Sequence, residues 1–242
     1  MGSSEHEDTH KGRLRGPGWN LLSKSALGVG IQVVLLFAAA GRADLPRLWL
    51  LAGMTFAWVA INAVCVAVAN PELLNQRGLW RRKTDTKPWD RKLLKLYGVL
   101  GFYLMPLVIG LDLGRRHWSS LGPWSIVVGT AMSSLGLLLV TWAMLVNPHF
   151  EVTVRIQADR DHKVVAAGPY AMVRHPGYLG AILWLLSSPL IAGSVLGMVP
   201  GGLAGFVFLL RAAREDRALQ AELPGYADYA RRVRFRLLPG IW

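Results

Sequence analysis

Charge is scarce in this chain of 242 residues: Asp, Glu, Lys and Arg together make up only 17% of it. Ordinary soluble domains carry about 25% charged residues, so the surface of a typical water-soluble enzyme is excluded. Cysteine is almost absent. Cys65 stands alone inside an apolar run, which rules out a disulfide scaffold and leaves the redox compartment unreadable from cysteine. Acidic residues number 15 against 27 Lys and Arg, for a formal net charge of +12. A basic excess suits nucleic acid only when it lies on a soluble face, so the positions of the charges decide its meaning. What is abundant is apolar: 52% of residues are hydrophobic, which excludes a disordered chain.

A bilayer core takes roughly 20 predominantly apolar residues per helical crossing. Such runs stand at 25–40, where the run is short, at 48–70, at 93–113 around Pro106, and at 124–147. From Tyr178 to Leu210 no residue is charged, and Pro189, Gly193, Gly197, Pro200, Gly201 and Gly202 punctuate the stretch. It reads as two helices, 178–192 and 196–211, joined by a tight turn. The fold class expected is therefore all-α: a polytopic membrane bundle of about six transmembrane helices, ending in a helical hairpin. Residues 25–242 form one domain. Residues 1–24 are polar, lack the apolar core of a signal peptide, and read as a disordered arm. Buried helices of a large soluble core are the competing reading, and so many long charge-free runs exceed what such cores need.

Lys and Arg collect on the cytoplasmic side of a membrane. Here 23 of the 27 fall in the arm, in the connections 71–95 and 148–177, and from Arg211 onward; Arg42, Arg47, Arg115 and Arg116 alone fall on the other side. That partition calls for an even number of crossings with both termini cytoplasmic. The positive charge is then a topology signal and a cushion for anionic headgroups, so no nucleic-acid partner is expected.

With apolar spans, ionisable chemistry is left to the connections. In residues 147–178 (NPHFEVTVRIQADRDHKVVAAGPYAMVRHPGY), Pro176 suits a helix start because its missing N–H would be unpaired there. The free backbone donors of such a start attract anions. Arg174 admits a headgroup anchor as readily as a site residue, and Tyr170 and Tyr178 an interfacial belt. In residues 211–242, Arg211 and Glu215 share a helical face, either as a solvated i,i+4 ion pair or as site residues. The stretch through Leu223, Tyr226 and Tyr229 is amphipathic and could lie on the membrane surface. His149, His162 and His175 lack metal-ligand spacing, so no metal is expected.

Taken together, His162-Lys163-Val164-Val165, Gly168-Pro169-Tyr170, Arg174-His175-Pro176-Gly177-Tyr178, Arg211-x-x-x-Glu215 and Tyr226-x-x-Tyr229 resemble the isoprenylcysteine carboxyl methyltransferase family, which groups with the phospholipid methyltransferases. The loop NPELLNQRGLWRRKTDTKPWDRKLL looks like the cytoplasmic loop of bacterial members, which suggests a bacterial inner membrane. The resemblance implies an S-adenosylmethionine pocket on the cytoplasmic side, within residues 147–242. Its residues would be His162, Val164, Val165, Tyr170, His175, Pro176 and Tyr178, with Gln157 as a further contact and Glu215 closing the pocket. Arg211 matches the position facing the methyl acceptor, and Arg211 and Glu215 are the implied catalytic residues. Asp216, where many members carry a second Glu, and Leu223-Pro224-Gly225 depart from the family pattern.

The residue chemistry agrees with this. S-adenosylmethionine carries a sulfonium, an ammonium and a carboxylate, so its site wants aromatic faces, a carboxylate and anion donors. Methyl transfer is an in-line displacement governed by positioning and desolvation. The acceptor expected is lipophilic or a small molecule: a carboxylate, a phospholipid amine or a thiol. A sterol-type membrane reductase using a nicotinamide, or a small transporter, are the competing classes. The transporter would need ionisable groups at mid-membrane, where Asn62, Thr130, Ser133 and Ser134 are the most polar residues.

Overall fold

A computed structural model describes residues 12–242, so residues 1–11, where a disordered arm is expected, lie outside the described residues. Among the described residues there is no strand, and the helices, in chain order, are α1 (Gly16–Ala40), α2 (Pro46–Ala69), α3 (Pro71–Gly78), α4 (Pro88–Arg116), α5 (Trp124–Val146), α6 (Pro176–Ala192), α7 (Met198–Glu222) and α8 (Tyr226–Arg232). α1, α2, α4 and α5 are long and apolar enough to cross a membrane. α6 is shorter, at 17 residues. Only the first half of α7 is apolar, and its second half runs on from Arg211 as a polar extension. Large apolar side chains such as Leu27, Val34, Val64, Val127 and Leu138 face outward, as a lipid solvent allows.

The expected arm is corrected at its inner end. α1 begins at Gly16, with Pro17 in its first turn, so 16–24 are helical. Hydropathy marks only the membrane portion of this helix; its polar start is held by Leu14, Leu21 and Leu22 packing on Leu73 and Leu74 of α3, and by the Arg15 N–H donating to Asn75 Oδ1 at 2.8 Å. The other spans shift by a few residues. The largest change is α7, which runs on to Glu222 where an end at 211 is expected; α4 runs from Pro88 to Arg116 because π-helical turns at Gly98–Leu104 and Leu111–Arg116 continue the rod. The first of these turns leads into Pro106, which has no N–H to offer the Phe102 carbonyl. Gln32 Nε2 of α1 approaches that carbonyl at 3.5 Å.

Small residues set the helix packing. A Cβ on Gly136 would come to 2.7 Å from the Gly180 carbonyl, and one on Gly180 to 2.7 Å from the Gly136 carbonyl, so α5 and α6 touch along their backbones. The turn joining α6 to α7 is held at the end away from the large loops. There Arg47 donates to the Leu190 and Ile191 carbonyls that close α6, and buried Asp112 accepts from Ser119 and Ser194. At the opposite end, the loops 70–88 and 147–175 and the tail after α7 come together. Leu219, Leu223, Tyr226 and Tyr229 pack there on Ala143 and Tyr170, so the tail is core rather than a surface-lying amphipathic helix.

Candidate active site

The walls at this loop end follow from local chemistry. α5 stops at Asn147, whose Oδ1 accepts from the His149 N–H at 2.8 Å while its Nδ2 donates to the Tyr170 hydroxyl at 3.1 Å. Gln157, almost fully buried, donates from Nε2 to the His149 carbonyl at 2.7 Å, and its backbone N–H approaches His162 Nδ1 at 3.3 Å. His149 and His162 lie ring to ring, 4.6 Å apart. Burial, with His149 and Arg155 nearby, pushes His162 down to about 4 and lowers His149 as well, so both imidazoles are neutral at physiological pH. Beneath them Arg155 holds Glu151, Asp85 and Asp159 at 2.8, 2.8 and 2.7 Å. Burial alone lowers the Arg155 guanidinium, yet its hydrogen bonds to these carboxylates carry it above its ordinary value.

Pro176 opens α6 after His175. Gly177 is required by a neighbour, since a Cβ there would overlap the Phe150 ring. His175 stacks on Tyr178, with centroids 5.7 Å apart, and Tyr178 donates its hydroxyl hydrogen to Glu215 Oε2. One residue further along α7, Asp216 is fully buried and does something different. It accepts from Arg174 at 2.7 and 3.0 Å, from Arg236 at 2.9 Å, from Gln220 at 2.8 Å and from the Tyr226 hydroxyl at 3.1 Å. Arg174 also donates to the Val233 and Arg234 carbonyls, so it fastens the tail rather than anchoring a headgroup. Tyr229 donates to the Tyr170 carbonyl at 2.8 Å, and burial raises the Tyr170 phenol above its ordinary value, keeping it protonated.

Between these walls lies a cavity of about 310 Å³, within the range of about 300–1,000 Å³ usual for small-molecule sites. Gln157, His162, Val164, Val165, Tyr170, His175, Tyr178, Arg211 and Glu215 all line it. Pro176 does not: it is buried at the helix start, outside the lining, and its part is to begin α6. The cavity continues toward the membrane helices, where Trp58, Leu94, Tyr97, Val140, Ala181 and Phe208 form its apolar end.

Arg211 stands between the two ends and corrects the i,i+4 reading. Its partner is Asp90 of α4, at 2.7 Å from Nε, and not Glu215. Nη2 donates to the Val152 carbonyl at 3.0 Å, and the guanidinium lies over the Tyr178 ring at 5.2 Å. Asp90 in turn accepts from the Val154 N–H at 2.9 Å, strapping the loop to both helices. The sequence reading passed over Asp90, and also Arg77 and Phe150, which line or shape the same cavity. The available signal was weak: Asp90 is a lone carboxylate just inside a Pro-started helix.

An all-helical membrane protein whose loop end encloses a carboxylate, stacked aromatic rings and neutral imidazoles, with an apolar extension between its spans, defines a class. It is an integral-membrane protein with one site open in composition to both a polar and a lipophilic ligand. Within that class the resemblance is specific: residues 128–221 match the Isoprenylcysteine carboxyl methyltransferase (ICMT) family. Protein-S-isoprenylcysteine O-methyltransferase B of Arabidopsis thaliana is 24% identical over 122 residues, 49% of this chain and 59% of that protein. The cobalt-zinc-cadmium resistance protein CzcN of Cupriavidus metallidurans is 28% identical over 128 residues, 52% of this chain and 56% of that protein. The chain thus spans less than two thirds of the length of these relatives. A solved structure of the eukaryotic intramembrane Ras methyltransferase ICMT superposes with a TM-score of 0.54 at 20% identity, covering 90% of this chain and 75% of that one. The fold is that of ICMT.

Proposed function

We propose that this protein is an integral-membrane S-adenosylmethionine-dependent methyltransferase acting on a lipophilic acceptor, an isoprenylcysteine-like carboxylate in the reading favoured here. The observation that carries it is the single cavity joining a polar end, with the Glu215 carboxylate beside the Tyr178 and Tyr170 rings, to an apolar end between membrane helices. The donor's groups fit the polar end. A sulfonium and an ammonium suit a carboxylate among aromatic faces, and Val164 and Val165 offer an apolar wall. When bound, S-adenosylmethionine supplies an electrophilic methyl group. His162, neutral in this setting, adds no repelling positive charge beside that cationic ligand. Arg211, held by Asp90 and by the Val152 carbonyl, presents its remaining N–H donors at the junction of the two ends and would orient the acceptor carboxylate. Such a carboxylate is already ionised at neutral pH and needs no base. The loop and the tail, fastened through Asp216, exclude water from the junction.

The orientation follows from the charges. Both termini lie in the cytoplasm, α6 and the apolar half of α7 complete six crossings, and the membrane is a bacterial inner membrane. The donor enters from the cytoplasm, and an apolar acceptor enters from lipid. Membranes from cells expressing the protein, supplied with S-adenosylmethionine labelled in the methyl group, should transfer label into the lipid-extractable fraction, and base treatment should release it as methanol from a methyl ester. Label that stays base-stable would point to an amine or thiol acceptor instead. Absence of transfer to any acceptor would sink the reading. Single cysteines near residues 44 and 85, in a Cys65-free background, should be labelled from outside and from inside respectively.

A further inference from the structure

The arginines around the cavity are not alike: Arg155, Arg174 and Arg211 are buried, and Arg77 is half-buried. Arg155 holds three carboxylates, Arg174 is paired with Asp216, and Arg211 with Asp90. Arg77, at the end of α3 and outside the region that matches the family, lines the same cavity without such a partner. Its Nη1 donates to the Phe150 carbonyl at 2.9 Å, and the guanidinium lies over the Phe150 ring, 5.5 Å from the centroid. Among the described residues no carboxylate pairs with it. Glu151, next to Phe150, is committed to Arg155 and Arg160. Arg77 and Arg211 therefore grip carbonyls two residues apart, Phe150 and Val152, and face one cavity, one guanidinium with its charge met and the other with its charge unmet. Burial pushes Arg77 down to about 10, with Glu151 opposing and Arg211 adding to the shift, so it stays cationic at neutral pH.

A guanidinium has five N–H donors in a planar fork matched to a carboxylate, and the Phe150 carbonyl accounts for one of them. We propose that Arg77 is a carboxylate-binding residue of this cavity. The inference rests on the methyl-transfer reading, in which two reactants can bring that group: the methionyl end of the donor, or a lipophilic acceptor. The Phe150 ring is seated against Gly177 and packs on the guanidinium, and the donors that the Phe150 carbonyl does not use are left for the ligand.

Two ligand pairs separate the sources. S-adenosylmethionine and its decarboxylated form differ by the donor carboxylate; a farnesyl thioether carboxylate and its amide differ by the acceptor carboxylate. Each is titrated calorimetrically against the parent, Arg77→Gln and Arg77→Lys in the same detergent. Gln can still donate to the Phe150 carbonyl but carries no charge. The expected result is that Arg77→Gln weakens the carboxylate-bearing member of one pair on the order of tenfold or more, leaves the other member of that pair unchanged, and is largely rescued by Lys. The affected pair names the source. Equal weakening of both members, which a mere strap on Phe150 would give, overturns the proposal, as does parent-like binding of all four ligands by Arg77→Gln. Should Arg77→Gln not fold, Arg77→Met, uncharged and of similar reach, carries the test in its place, and an unchanged preference for the carboxylate-bearing member overturns the proposal. A parent that binds neither form of the donor overturns the methyl-transfer reading and this one together. A parent that binds both while the variants discriminate nothing overturns only the role of Arg77.

Discussion

Glu215 and Asp216 are neighbours in sequence and should behave as opposites when their charges are removed. Successive residues of a helix point about 100° apart; Glu215 faces the cavity, and Asp216 faces the tail, fully buried among Arg174, Arg236, Gln220 and Tyr226. Asp216→Asn keeps the shape but leaves two guanidiniums without their shared counter-charge. Removing one partner of a buried pair costs about 3–5 kcal/mol, and each kcal/mol moves the melting temperature by about 2–4 °C in a chain of this length, for a drop of roughly 6–20 °C. Glu215→Gln retains an acceptor for the Tyr178 hydroxyl and should cost on the order of 1 kcal/mol of stability. Its effect falls instead on binding of a cationic ligand, where an uncompensated site loses about 2 kcal/mol or more. Scanning fluorimetry in detergent measures the first quantity and calorimetric titration with S-adenosylmethionine the second. If Glu215→Gln lowered the melting temperature as far as Asp216→Asn, or if Asp216→Asn melted with the parent, the division of labour between scaffold and site would be wrong.

Three further expectations follow from the same geometry. Arg211→Ala leaves Asp90 buried without a cation and should destabilise by about 3–5 kcal/mol; adding Asp90→Asn should recover part of that stability in denaturation but none of the methyl transfer. Gly177→Ala puts a methyl into the Phe150 ring and should cost about 1–3 kcal/mol by overpacking, with a lower melting temperature as the readout. For pH, the folded His162 sits near 4 against about 6.5 when unfolded. Between those values the unfolded state binds more protons, so this residue's contribution is present above pH about 6.5 and is lost as pH falls through about 4. His162→Gln should therefore lose less stability than the parent between pH about 7.5 and about 5, as measured by unfolding at each pH.

Local signals in the sequence were enough for the helices and for one wall of the site. Charge-free runs bounded by Gly and Pro place the turn of the α6 to α7 hairpin within two residues, because lipid admits no irregular backbone between such bounds, but they miss the polar extension of α7 from 211 to Glu222. The run 162–178 and Glu215 meet in one cavity, since the motif lies on adjoining elements. What the sequence withheld is what depends on distant pairing. Asp90 and Arg211 are separated by 121 positions, so the visible i,i+4 neighbour Glu215 offered the wrong partner. Asp216 looked like a departure from a pattern, yet its shorter side chain sits where Arg174 and Arg236 converge. The start of α1 was hidden because hydropathy reports the membrane and not the helix, whose polar turns are stabilised by α3.

On the proposed function, the cavity beside Glu215 holds S-adenosylmethionine. Calorimetric titration of the purified parent protein with S-adenosylmethionine, and separately with a reduced nicotinamide dinucleotide, tests it most directly. Saturable one-to-one binding of the first and none of the second is the expected result. Binding of the nicotinamide with no binding of S-adenosylmethionine would contradict it and favour a membrane reductase.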